Sequence, residues 1–176
     1  MSSLPLKRKC VFLDRDGVLN EDRPDYVYQL DHFKIMAGVP LALQQLKDAG
    51  FLLLVVTNQA GISKGIYTQQ DMEKCHRYLQ EQCGGLIDHF YFSPYHPTIS
   101  ESLGRKPGSL LFEKGIARYN IDPTTSWMIG DRERDLIPAR LLGTRTIQIG
   151  AIEEKSEQAD YSAANLITAA QIIFTH

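Results

Sequence analysis

No apolar run in this sequence is long enough to cross a bilayer, since a spanning helix needs about 20 consecutive apolar residues. No basic stripe runs through it either. Nineteen lysines and arginines stand against 21 aspartates and glutamates, for a net charge of −2, which argues against a nucleic-acid partner. Cysteine is scarce. Cys10, Cys75 and Cys83 are odd in number and lack metal-ligand spacing, so the reading is reduced thiols in a cytoplasmic protein and not a disulfide framework. Basic residues open the chain in "MSSLPLKRKC" with no apolar segment behind them, and no signal peptide is expected. Internal repeats, low-complexity tracts and linkers are also missing. With 176 residues, the expectation is one domain over 1–176, acting as a monomer.

What the chain does contain is apolar runs alternating with helical patterns. "KCVFL" reads as a strand. "VPLALQQLKDAG" puts Val39, Ala42, Leu43 and Leu46 on one helical face and stops at Gly50. "FLLLVV" is continuously apolar, as suits a strand buried on both faces. A helix opens at Thr68 with Asp71 three residues on, a capping-box pattern. "LIDHFYF", "SWMIG" and "TRTIQIG" read as further strands, with helices after Pro107 and around "RDLIPARLLG". Pro138 is tolerable only in a first helical turn, so that helix is expected to begin close to Asp135. The tail predicts a short strand and a closing helix. Such alternation predicts an α/β, Rossmann-like domain: a parallel sheet with helices on both faces.

In such sheets ligands bind beyond the carboxyl ends of the strands. Those positions carry Asp14-Arg15-Asp16-Gly17, then Thr57-Asn58-Gln59, then Arg105-Lys106-Pro107, then Gly130-Asp131 with Asp135 beyond. Crowded carboxylates need a counter-charge. Hard oxygen ligands with no histidine or cysteine spaced to help fit Mg²⁺ better than Zn²⁺. A divalent ion, a lysine and amide donors around a carboxylate suit phosphoryl transfer through an aspartyl-phosphate.

The set "DRDG", "TNQ", "RKP" and "GDRERD", in this order at strand ends, resembles the haloacid-dehalogenase superfamily of phosphatases over nearly the whole chain. "FLDRDGVLNED", "VVTNQAGI" and "RKPG" most resemble its heptose-bisphosphate and histidinol-phosphate phosphatase group. The resemblance implies a nucleophile at Asp14 and a proton shuttle at Asp16. It implies that Thr57 binds the phosphoryl group, that Lys106 neutralises it and that Asp135 orients Lys106. Asp14, Asp131 and the backbone carbonyl of Asp16 would hold Mg²⁺. Arg105, Asn58, Asp22, Tyr26 and Arg132 would contact the substrate. A small phosphorylated metabolite is implied, a heptose 1,7-bisphosphate first and histidinol phosphate as the alternative. A phospho-aspartate signalling switch is the competitor from another class. It wants slow hydrolysis, whereas Asp16 stands ready to activate water. The whole set is needed, because one general acid–base group gives about 10²–10⁴ in rate while phosphate-monoester hydrolysis can require up to ~10²¹.

Between Gly17 and Thr57, and again between Thr57 and Lys106, there is no room for the cap domain that other superfamily members insert there. The chain departs from the group at Pro138 and at the zinc loop. The group's zinc loop, which starts Cys-Pro-x-His and ends Cys-x-Cys before "RKP", reads here "SPYHPTISESLGRKP". Ser93, Tyr95, Ser102 and Gly104 replace the ligands, and His96 alone cannot make a tetrahedral site. No structural zinc is therefore expected. Metal analysis of protein purified without added zinc should find far less than one zinc per chain, and stoichiometric zinc would refute this.

Overall fold

A computed structural model describes residues 6–150 and 155–176, so the first five residues of the basic start lie outside the described residues. Six strands are described: β1 Cys10–Leu13, β2 Leu52–Asn58, β3 His89–Ser93, β4 Trp127–Gly130, β5 Arg145–Ile149 and β6 Tyr161–Ala163. They form one sheet in the order β3-β2-β1-β4-β5-β6, and every neighbouring pair is parallel. The helices are α1 Val39–Asp48, α2 Gln69–Gln82, α3 Leu110–Tyr119, α4 Glu133–Leu141 and α5 Leu166–Thr175.

The period of two along the strands sorts the core into two layers. Val11 and Leu13 of β1, with Leu53 and Val55 of β2, face one layer. That layer takes Leu43 and Leu46 from α1, Leu79 from α2 and Ala169 and Ile173 from α5. Cys10, Phe12, Leu54 and Val56 face the other, against Phe112 of α3 and Leu136 and Ala139 of α4. Both faces of β1 and β2 are therefore covered, as their unbroken apolar runs imply. The three cysteines are unpaired and buried. No helix among the described residues is long and apolar enough to cross a membrane.

Local chemistry sets the helix starts. Thr68 caps α2 with both halves of the capping box, its Oγ1 accepting from the Asp71 N–H at 3.2 Å and the Asp71 carboxylate accepting from the Thr68 N–H at 3.1 Å. α4 begins at Glu133, two residues earlier than Pro138 leads one to expect. The Asp135 carboxylate reaches back to the Arg132 N–H at 3.0 Å and fixes the start there. Pro138 then sits inside the helix, with no N–H to offer the Arg134 carbonyl.

The loop between β3 and α3 is held by hydrogen bonds. The His96 N–H donates to Ser63 Oγ at 3.0 Å and the Ser63 N–H to the Pro94 carbonyl at 3.1 Å. His96 Nδ1 lies 2.7 Å from Thr98 Oγ1, and Arg105 Nη1 donates across the loop to the Tyr95 carbonyl at 3.0 Å.

Candidate active site

β1 lies between β2 and β4, where the strand order changes direction, and the crevice for a ligand opens there. The Asp14 N–H still donates to the Ile129 carbonyl of β4 at 3.0 Å. The Arg15 carbonyl then accepts from the Leu19 N–H at 2.8 Å and turns the chain. Gly17 has φ +83°, and a Cβ there would lie 2.6 Å from Asp131 Oδ2. Only glycine lets the two loops approach this closely.

Lys106 is the cation of the site, and it is 2% exposed. Its Nζ lies 2.8 Å from Asp14 Oδ1 and 2.8 Å from Asp135 Oδ1, and donates to the Val56 carbonyl at 2.6 Å. Burial alone depresses this ammonium, but Asp135 and Asp14 outweigh burial and its pKa is raised. Asn58 holds the lysine's backbone. Its Nδ2 donates to the Lys106 carbonyl at 3.1 Å and its Oδ1 accepts the Lys106 N–H at 3.0 Å. Asn58, expected as a substrate contact, thus spends its amide on the loop that carries Lys106.

Carboxylate oxygens of Asp14, Asp131 and Asp135 lie within 4.8 Å of one another. Burial and the neighbouring Asp135 push Asp14 up to about 7, against the pull of Lys106. Burial and Asp135 likewise push Asp131 up to about 6. Asp131 Oδ1 is buried without a hydrogen-bond partner. An unsatisfied oxygen and surplus negative charge, in an all-oxygen donor set, fit a hard divalent cation. Asp135 is committed to Lys106 and to the start of α4, which leaves Asp14 and Asp131 as the side chains able to hold it.

Asp16, two residues after Asp14, turns its carboxylate out of this cluster. Arg15 grips it through Nη2 at 2.9 and 3.0 Å and through Nε at 3.1 Å. Asn20 Nδ2 donates to it at 2.9 Å and Gln59 Nε2 at 3.0 Å. Of the expected metal set, Asp16 can therefore contribute only its backbone carbonyl. Gln59 Nε2 also donates to Thr57 Oγ1 at 2.9 Å, and the Tyr67 OH donates to Gln59 Oε1 at 2.7 Å. Tyr67 thus sets which way the Gln59 amide points, and Tyr28 stacks on it at 4.9 Å. Arg15, Asn20, Gln59 and Tyr67 went unassigned in the sequence. Gln59 stood inside a quoted motif, but nothing local shows that Arg15 is fully buried.

A cavity of about 450 Å³ opens above these groups. Asp14, Asp16 and Thr57 form its floor, and the expected Asp22, Tyr26, Asn58 and Arg132 are in its walls. Arg132 Nη2 pairs with Asp22 at 2.8 Å and closes one side. Tyr26 sits at φ 68°, a strained backbone for a bulky residue, and Lys64 Nζ donates to its hydroxyl at 3.0 Å. Arg105 is not in the cavity wall, because its guanidinium reaches to the Tyr95 carbonyl. Arg23 and Arg134, neither singled out in the sequence, are in the wall instead.

Comparisons with known proteins agree with this geometry. A family profile described as HAD-hydrolase-like matches residues 103–169. The D-glycero-β-D-manno-heptose-1,7-bisphosphate 7-phosphatase of Haemophilus ducreyi is 40% identical over 148 residues, covering 79% of this chain and 81% of that protein. The enzyme of the same name from Pasteurella multocida is 36% identical over 172 residues, covering 88% and 90%. Among solved structures, a D,D-heptose 1,7-bisphosphate phosphatase from B. bronchiseptica, complexed with magnesium and phosphate, superposes with a TM-score of 0.83 at 25% identity, covering 95% of this chain and 98% of that one.

The raised carboxyls have a consequence for stability. Groups whose pKa rises from 3.8 to about 7 and about 6 on folding hold extra protons in the native state. Their contribution is complete below pH 3.8 and is lost as pH rises through 6 and 7. The melting temperature of metal-free protein should fall between about pH 5 and pH 8, and Mg²⁺ should raise it more at pH 8 than at pH 5. Thermal melts with EDTA and with Mg²⁺ check this. An equal Mg²⁺ effect at both pH values would contradict it.

Proposed function

The chain belongs to the D-glycero-β-D-manno-heptose-1,7-bisphosphate 7-phosphatase family of haloacid-dehalogenase-like hydrolases, and we propose on that premise that it removes the 7-phosphate from a heptose 1,7-bisphosphate. It is a phosphatase. The observation that carries the reaction is the pairing of Asp14 with buried Lys106 at 2.8 Å on the floor of a cavity that Asp16 shares, and the relatives named above support the heptose substrate. We read the protein as one capless domain, with the segments 20–32 and 93–104 bordering the site.

In this reading Asp14 is the nucleophile. Its Oδ1 accepts from the Arg15 N–H at 2.8 Å and pairs with Lys106, which leaves Oδ2 to attack phosphorus. The bond from phosphorus to the sugar oxygen breaks, and Asp16 gives its proton to that oxygen. Asp16 then takes a proton from water, whose oxygen attacks the aspartyl-phosphate and releases inorganic phosphate. Thr57 Oγ1 accepts from Gln59, so its own proton is directed to a phosphoryl oxygen. Lys106 balances the charge that builds on the phosphoryl group. Asp14, Asp131 and the Asp16 backbone carbonyl would hold Mg²⁺, which would supply further neutralisation of phosphate charge. Tyr67 acts through Gln59 as a positioning residue for Asp16 and Thr57.

Asp14→Asn should lower kcat by at least about a thousandfold with the fold retained, since an amide is a poor nucleophile. Phosphate release from heptose bisphosphate anomers, histidinol phosphate and simple sugar phosphates, with Mg²⁺ and with EDTA, tests the whole reading. One strongly preferred, Mg²⁺-dependent heptose bisphosphate is the expected result. Histidinol phosphate as the preferred substrate, or near-normal activity in Asp14→Asn, would overturn it. Tyr67→Phe should lower kcat about tenfold, the worth of one buried hydrogen bond, with KM little changed. A shift in KM alone would remove the positioning role.

A further inference from the structure

The cations around the cavity differ in how they are neutralised. Arg132 pairs with Asp22 at 2.8 Å and approaches Asp131 at 3.4 Å. Arg23 forks onto Asp25 with two contacts of 3.0 Å. Arg134, also in the cavity wall, makes no hydrogen bond or ion pair among the described residues. A like charge also acts on it: after burial, the Arg134 guanidinium is the chief cause that depresses Arg105, whose own contact is with the neutral Tyr95 carbonyl. Arg134 is also the second residue of α4, where the helix dipole disfavours a cation by about 0.3–1 kcal/mol. Arg134 thus stands in the cavity wall with no carboxylate partner, at the unfavourable end of a helix. An anion bound to it removes these costs.

We propose that Arg134 is a specificity-determining residue which, from the cavity wall, binds the phosphate of the sugar bisphosphate that is not transferred. This rests on the function proposed above. The transferred phosphate belongs over Asp14, Thr57 and Lys106 on the cavity floor. The second phosphate lies at the other end of the sugar and meets the wall. Arg132 and Arg23 already hold carboxylates there, so the guanidinium with open donors is Arg134. A planar guanidinium makes two parallel bonds to phosphate oxygens, which suits Arg134 to this role.

The test is steady-state kinetics with heptose 1,7-bisphosphate and with the matching heptose 7-phosphate, which lacks the second phosphate. The readout is the ratio of kcat/KM for the two. In Arg134→Ala the preference for the bisphosphate should fall about tenfold or more, through its KM. Arg134→Glu should fall further, and Arg134→Lys should recover part of the loss. Thermal melts of each variant keep folding defects apart from binding defects. If the unaltered protein prefers the bisphosphate and Arg134→Ala keeps the full preference, this inference is wrong and the proposed function stands. If the unaltered protein shows no preference for the bisphosphate, the proposed function fails and the subsite falls with it.

Discussion

A buried ammonium holds this structure together at the place where it works. The Lys106 side chain is 1% exposed, and stripping such an ion of water costs several kcal/mol unless neighbours replace the solvent. The replacements come from three parts of the fold. Asp14 comes from the end of β1, the Val56 carbonyl from β2 and Asp135 from α4, while Asn58, also of β2, fixes the lysine's own backbone. The lysine cannot be satisfied unless all three are in register. Removing one partner would leave a buried charge without compensation, a loss of about 3–5 kcal/mol.

Alternate positions of the first loop divide the acidic residues into two electrostatic circuits. Asp14 joins Lys106, and Asp131 beside it has an unmatched oxygen. Asp16 joins Arg15, Asn20 and Gln59 in a separate set of charge-assisted bonds. Like charges two residues apart would repel if they shared one pocket. Separate counter-ions let both remain on one cavity floor. This split follows from the turn at Gly17, which ends the strand before its alternation could aim both carboxylates at one partner.

Much of this was legible in the sequence, for identifiable reasons. The unbroken run at Leu52–Val56 can only be a strand covered on both sides, and it is. The Thr68–Asp71 cap depends on residues three apart and was readable for that reason. What escaped depends on residues far apart. Gln59 meets Asp16 across 43 residues and Asn58 meets Lys106 across 48, and no local pattern encodes either contact. Arg105 was expected on the substrate, and its Nη1 bond to the Tyr95 carbonyl, ten residues away, is a contact that no local pattern encodes either. The start of α4 was set by the Asp135 carboxylate and not by Pro138, a contest that propensity alone cannot settle.

The loop between β3 and α3 also bears on durability. Its ties are hydroxyls, an imidazole, a guanidinium and backbone amides, and no thiolate lies anywhere between Ser93 and Gly108. Peroxides and disulfide stress attack thiolates first, and the three thiols of this chain are buried in the core. This border of the cavity therefore holds no thiol, so thiol–disulfide exchange has nothing in it to act on.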